Sequence, residues 1–201
     1  MDPLLIDVPE LLETERLVMR PPRRGDGQTL NAAIRVSHLE LAPWLPWAGT
    51  LPSVDESEAH CRRQQARFIL REDFVVLIFL RDRDGSEGEL VGGCGLHRID
   101  WALRKFEIGY WRKTGCEQRG LITEAVRALA RMAFDALDAR RVEIRMDDRN
   151  ERSWKLAERA GFTLEALLRF DSVTPAGEPR STRIYARVRG AEEPTGATAL
   201  A

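Results

Sequence analysis

The residues from Gly109 to Glu124 are the first that could do chemistry. An alternating strand-like segment, Phe106 to Trp111, leads into a loop containing Gly115 and Gly120, and the loop opens directly into a helical pattern. A helix start presents unpaired backbone N–H groups and the positive end of the helix dipole, so this arrangement suits a phosphate-rich ligand. Gly120 would let the backbone approach the phosphates, Arg119 would add positive charge, and Thr123 could donate a hydroxyl from the first turn. A nucleotide P-loop needs Lys and then Ser or Thr directly after its last glycine, whereas Leu121-Ile122 follow Gly120 here. The Gly-x-Gly-x-x-Gly dinucleotide fingerprint is absent as well. Phosphates bound here would be a handle, and the competing reading is a plain structural turn.

Few other side chains declare themselves. His97 ends a strand-like run and could act as a base, although a lone histidine is more often structural. Cys61, Cys94 and Cys116 form no Cys-x-x-Cys pair and are odd in number, which fits free thiols in a reducing compartment better than a disulfide framework. The scattered His and Cys residues offer no metal-ligand cluster, so no metal is expected.

The elements that must position these residues follow from periodicity. Residues 14–20 read as a strand stopped by Pro21-Pro22, and 26–39 as a helix with Leu30, Ala33 and Ile34 on one face. Ser53 and Glu56 form a capping box for a helix running to about Leu70. Strands are expected at 74–80, 89–97 and 106–111. A long amphipathic helix follows at about 121–137, with Ile122, Val126, Leu129, Ala133 and Leu137 at three- and four-residue intervals. A strand at 142–146, a short helix at 151–160 stopped by Gly161, and strands at 162–168 and 183–188 complete a mixed α/β pattern. Residues 1–13 read as an N-terminal extension, 14–189 as one domain, and 190–201 as a tail without periodicity, expected to be disordered. At 201 residues the chain is long enough for one well-cored domain. Its formal net charge of −1 gives no global field for nucleic acid, and no apolar run nears the roughly 20 residues of a membrane helix. A cytoplasmic protein with no nucleic-acid or membrane partner is expected.

Several motifs agree in order along the chain. Gly120-Leu121-Ile122-Thr123-Glu124-Ala125, Arg141-Val142-Glu143-Ile144-Arg145, Asn150-Glu151-Arg152-Ser153 and Ala160-Gly161-Phe162-Thr163-Leu164-Glu165 together resemble the GNAT acetyltransferase superfamily. Within it, Trp44-Leu45-Pro46-Trp47 and Ile108-Gly109-Tyr110-Trp111 resemble the RimJ/RimL type of ribosomal-protein N-terminal acetyltransferase. The resemblance spans about Thr14 to Val188.

It implies a GNAT fold: a twisted, mostly antiparallel mixed sheet of about seven strands flanked by about four helices, with two central parallel strands splayed apart. It also implies acetyl-CoA as cosubstrate, its pyrophosphate on Glu117, Gln118, Arg119, Gly120, Leu121, Ile122 and Thr123. The pantetheine arm would lie along the strand edge at Tyr110 and Trp111, as an added strand would. Glu117 departs from the motif's usual Gln or Arg and sets negative charge beside the pyrophosphate.

Direct acetyl transfer to a primary amine needs a neutral amine, a stabilised oxyanion and a protonated leaving thiolate. By resemblance, Ser153 assists the departing sulfur, Asn150 contacts the cofactor arm or a water, and Glu107 is the candidate base. The bland alternatives are helix capping for Ser153 and Asn150 and a surface carboxylate for Glu107. Cys116 could in principle carry the acyl group, though most of the family transfers directly. Trp44 and Trp47 would wall the acceptor site, and the acceptor would be a protein N-terminus or a small amine. The resemblance also implies homodimers as a common assembly. A rival reading is a non-catalytic acyl-CoA sensor on the same fold.

Overall fold

The computed structural model describes residues 2–116 and 120–191. The described elements run β1 (Leu12–Glu13), β2 (Leu17–Arg20), α1 (Gly27–Leu41), α2 (Val54–Ile69), β3 (Phe74–Arg81), β4 (Glu87–Asp100), β5 (Lys105–Arg112), α3 (Leu121–Asp135), β6 (Arg141–Asp147), α4 (Glu151–Arg159), β7 (Thr163–Val173) and β8 (Pro179–Val188). One sheet holds all eight strands in the order β1-β2-β3-β4-β5-β6-β8-β7. Every neighbouring pair is antiparallel except β5 and β6. The expected mixed α/β architecture is therefore present.

Besides small shifts of bounds, with β4 longer than 89–97 and α3 ending at Asp135 so that the buried Leu137 follows it, two larger details differ from the sequence expectation. The first strand does not run unbroken from Thr14. The Thr14 N–H donates to the Leu17 carbonyl at 2.9 Å, folding the segment back so that Leu12–Glu13 pair with Val18 and Met19. That turn joins the end of the N-terminal extension to the sheet. The last two strands also extend beyond their apolar cores into a long hairpin, which is exposed along most of β7. Because both faces there meet solvent, the alternation that marks a half-buried strand is missing.

The core lies mainly between the sheet and α3. Ala125, Val126, Leu129, Ala130 and Ala133 have no exposed surface and pack with Phe74, Ile78, Phe106, Ile108 and Ile144. A smaller cluster on the opposite face joins Leu30, Ala33 and Ile34 of α1 to Cys61, Leu77, Phe79 and Leu90, with Trp111 packed against it. The caps follow the sequence. Ser53 accepts from the Glu56 N–H, and Glu56 answers with its carboxylate on the Ser53 N–H. Gly161 takes the left-handed conformation just beyond α4, at φ +86°.

The first turn of α3 is tied to the strand edge by Glu124. Its carboxylate accepts from the Thr14 hydroxyl at 2.6 Å, the Arg16 N–H at 3.2 Å and the Arg16 guanidinium at 2.7 Å. Burial works to raise the Glu124 pKa, but these hydrogen bonds overcome it and hold the carboxyl below the usual range. A depressed folded-state pKa makes the contribution full above the ordinary carboxylate range of about 4.3 and erodes it as acid carries the pH down through the folded value. Glu124→Gln is expected to cost about 2 kcal/mol in denaturant unfolding at pH 7. The difference from wild type should shrink below pH 4; equal stabilities at pH 7 would contradict this account.

Candidate active site

The opening in the sheet begins where β5 and β6 part. The two strands are in register at Lys105↔Arg141, Phe106↔Val142 and Glu107↔Glu143. Beyond that point β5 stays with β4 as far as Arg112, while β6 stays with β8 as far as Asp147. Each strand follows its antiparallel partner, so the right-handed twist accumulating across the sheet is released as a wedge between them. The wedge leaves the backbone edge of Ile108 to Arg112 without β6 as a partner. At its base sits the buried carboxylate of Glu143, paired with Arg141 at 2.9 Å, Lys105 at 3.4 Å and Arg145 at 3.9 Å.

Tyr110 reaches from β5 across the wedge to α4. Its phenol is 2.9 Å from Ser153 Oγ and donates to the Ser153 carbonyl at 3.1 Å. Burial pushes the phenol pKa up to about 12, with the Ser153 contact opposing the shift, so the group is a protonated donor at neutral pH. Asn150 caps α4, its Oδ1 accepting from the Ser153 N–H at 3.1 Å. The cap and the hydroxyl pair thus fix Ser153 from two directions. Asn150 keeps its amide Nδ2 for other partners.

Beside the same opening, α3 begins at Gly120 in the left-handed conformation (φ 68°, ψ 22°), and among the described residues no side chain caps its first turn. That backbone conformation favours glycine. A Cβ at Gly120 would meet nothing within 4 Å, so the space above it is open. Leu121 and Ile122 point into the core, 6% and 5% exposed, which leaves only their backbone for a ligand. Thr123 is also largely buried, yet it borders a groove of about 810 Å³ with Gly120, Glu124, Arg127 and Arg131. The two arginines were not singled out by sequence, although their four-residue spacing along α3 places them on one helix face. The loop before α3 is anchored by the Lys113 N–H on the Val91 carbonyl and the Thr114 N–H on Ser37 Oγ, both at 2.9 Å. Glu117, Gln118 and Arg119 lie outside the described residues.

The opposite face of β5 carries Glu107, Gly109 and Trp111 by alternation. Burial raises the Glu107 pKa, opposed chiefly by Arg98, whose guanidinium is 3.4 Å away. Trp111 meets Trp47 edge to face, with ring centroids 6.1 Å apart at 72°. Trp47 is 50% exposed and so does not plug the core. Trp44 is half-buried in the same turn, without a ring contact to either among the described residues. His97, in register with Glu107, places Nδ1 2.6 Å from Asp73 Oδ1. Asp73 was not anticipated, because its link to His97 spans 24 positions and exists only once β3 and β4 pair. Among the described residues no group of three or more His, Cys, Asp or Glu is placed to hold a metal ion.

The chain was compared with known proteins. Residues 16–163 match the family model described as "Acetyltransferase (GNAT) domain". The chain is 42% identical over 155 residues to the Bacillus subtilis (strain 168) protein named "Putative ribosomal N-acetyltransferase YdaF", an alignment covering 77% of this chain and 82% of that one. It is 29% identical over 127 residues to the "Ribosomal-protein-serine acetyltransferase" of Escherichia coli (strain K12), covering 63% and 69% of the two chains. The structure of RimL, a ribosomal L7/L12 alpha-N-protein acetyltransferase in complex with coenzyme A, superposes with a TM-score of 0.81 at 22% identity over 89% of this chain and 98% of that one. The parted β5 and β6 strands and the family match thus agree: this chain belongs to the GNAT acetyltransferase family and is an N-acetyltransferase.

Proposed function

We propose that the protein takes an acetyl group from acetyl-CoA and passes it directly to a primary amine, most naturally the N-terminal amine of a protein. The observation that supports this best is the wedge between β5 and β6, flanked on one side by the uncapped start of α3 and bridged by the Tyr110–Ser153 hydroxyl pair. Coenzyme A fits those residues. The N–H groups after Gly120 and the loop before it would hold the pyrophosphate through the dipole and direct hydrogen bonds, with Glu117, Gln118 and Arg119 completing that loop and Thr123 following in the first turn of α3. The open edge at Tyr110 and Trp111 would hydrogen-bond the pantetheine arm as an added strand.

In this reading Ser153, held in place by the buried Tyr110 phenol, supplies the proton that the departing sulfur needs. Asn150 keeps Ser153 in place and turns its amide toward the arm. A backbone N–H on the open edge of β5 serves the developing oxyanion. Glu107, on the other face, draws in the cationic amine, and Trp44 and Trp47 wall its approach. The names of the Bacillus subtilis and Escherichia coli relatives point to a ribosomal protein as acceptor, and cytoplasmic location follows from that choice.

Acetyl transfer to a short peptide with a free N-terminal serine tests the proposal, with spermidine and an aminoglycoside as competing acceptors. Transfer to the peptide is expected; binding of acetyl-CoA with no transfer to any amine would overturn the enzymatic reading of this site. Ser153→Ala should lower kcat by about 100-fold with little change in the acetyl-CoA KM, because protonating the thiolate matters only in the transition state. An unchanged kcat would remove Ser153 from the reaction. Gly120→Asp should weaken acetyl-CoA binding at least about 10-fold by calorimetry, a loss near 1.4 kcal/mol, with the circular dichroism spectrum intact. Undiminished affinity would mean that the pyrophosphate lies elsewhere.

A further inference from the structure

We propose that His97, oriented by Asp73, is the base that takes the proton from the incoming amine. This rests on the transfer reaction proposed above and adds the residue that the reaction requires on the acceptor side.

The argument begins with the ring's tautomer. Asp73 is 6% exposed and touches His97 Nδ1 at 2.6 Å through Oδ1, while its Oδ2 meets the Arg67 guanidinium at 3.1 Å. An Arg-paired carboxylate is ionised and accepts only, so Nδ1 must carry the proton of the neutral ring. The lone pair is then on Nε2. A buried carboxylate on one imidazole nitrogen fixes both the ring orientation and the identity of the basic nitrogen.

The direction of Nε2 gives the second part. An ideal Cβ at Gly95 would lie 3.0 Å from Nε2, and one at Gly109 would lie 3.1 Å from it. Gly95 and Gly109 are cross-strand partners on β4 and β5. The ring therefore lies over a patch of sheet with no side chains, and any larger residue at either position would collide with it. Gly109 belongs to the part of β5 beyond its last pairing with β6, so Nε2 stands directly above the strand that borders the wedge. The His97 side chain is 36% exposed, open enough for an amine to reach.

Glu107 is the other candidate on this face. It pairs with Arg98 and lies at the last register pair of β5 with β6, one step of the strand's alternation before Gly109. Its carboxylate suits holding an ammonium, whereas Nε2 offers a neutral acceptor at the wedge. Among the described residues the charged and titratable groups around the dyad are Arg67, paired with Asp73, Arg98, paired with Glu107, Glu107 itself, and His60 of α2, which feels the same Asp73 and Arg67. Burial, followed by Arg63, lowers the His60 pKa.

The step balances without any further reactant. The ammonium first gives one proton to water; the neutral amine nitrogen then forms a bond to the acetyl carbonyl carbon, and the carbon–sulfur bond breaks with its electron pair on sulfur. The surplus proton on nitrogen passes to Nε2, and sulfur receives a proton from the Ser153–Tyr110 pair. Water then takes the proton from His97 and restores the hydroxyl pair.

The test follows kcat/KM for the N-terminal serine peptide from pH 5.5 to 9.5, together with calorimetric acetyl-CoA affinity. Wild-type kcat/KM should rise with pH and reach a plateau. His97→Gln should lower kcat/KM about 100-fold, lose the plateau and keep rising with pH, with acetyl-CoA affinity unchanged. Asp73→Asn, a change in a positioning residue, should cost about 10-fold. Added imidazole should restore part of the activity of His97→Ala, which a purely structural role would not allow. An active wild type whose His97→Gln variant keeps kcat/KM within about 2-fold and retains the plateau would overturn the assignment while leaving the transferase reading standing. A loss matched by lost acetyl-CoA affinity would overturn it too. A wild type that transfers nothing to any amine would remove both proposals together.

Discussion

The arrangement depends on the failure of two parallel neighbours to stay together. β5 and β6 are both committed, over their full length, to antiparallel partners on their outer sides, and they share only the register from Lys105 to Glu107. Twist cannot be absorbed once that short shared stretch ends. The resulting wedge exposes backbone that would otherwise be paired, at a cost that a ligand's own hydrogen bonds can offset. The α3 start, the Tyr110 bridge to α4 and the Gly109 patch are all placed relative to that gap.

Around the gap, rigidity comes from hydrogen bonds between elements distant in sequence. Glu124 fastens α3 to the β1–β2 turn, Ser37 fastens the loop after β5 to α1, and Tyr110 fastens β5 to the first turn of α4. On the far side of β2, Arg20 is buried and held by Asp26 at 2.6 Å and by Glu87 at 2.6 Å, joining the start of α1 to β4. Charged groups removed from water in this way need full partners to be tolerated, and such mutual dependence specifies one packing of α1 and α2 on the sheet.

Sequence carried much of this. The capping box at Ser53, the stop at Gly161 and the apolar stripe of α3 are local patterns with a direct geometric meaning, and each is present. Ser153, Tyr110 and Asn150 were identified individually by resemblance, and the fold brings them together. The dyad of His97 and Asp73 could not be read from spacing, since it is created by the β3–β4 register. The break at Thr14 was hidden for a different reason: a strand pattern persists through residues whose backbone folds back on itself. The long hairpin of β7 and β8 was underestimated because an exposed strand has no burial period to display.

β5 also behaves as a strand with two distinct working surfaces. Its edge beyond Glu107 is not paired with β6, and its α1-facing side carries Glu107, the bare patch at Gly109 and the Trp111–Trp47 contact. On the proposed reading one reactant lies along the edge while the other meets the face, and neither must leave for its companion to enter. Such a strand favours a sequential kinetic scheme, in which a ternary complex precedes any product. Double-reciprocal plots for two substrates meeting in that way intersect, in contrast to the parallel lines of a covalent shuttle through a residue such as Cys116.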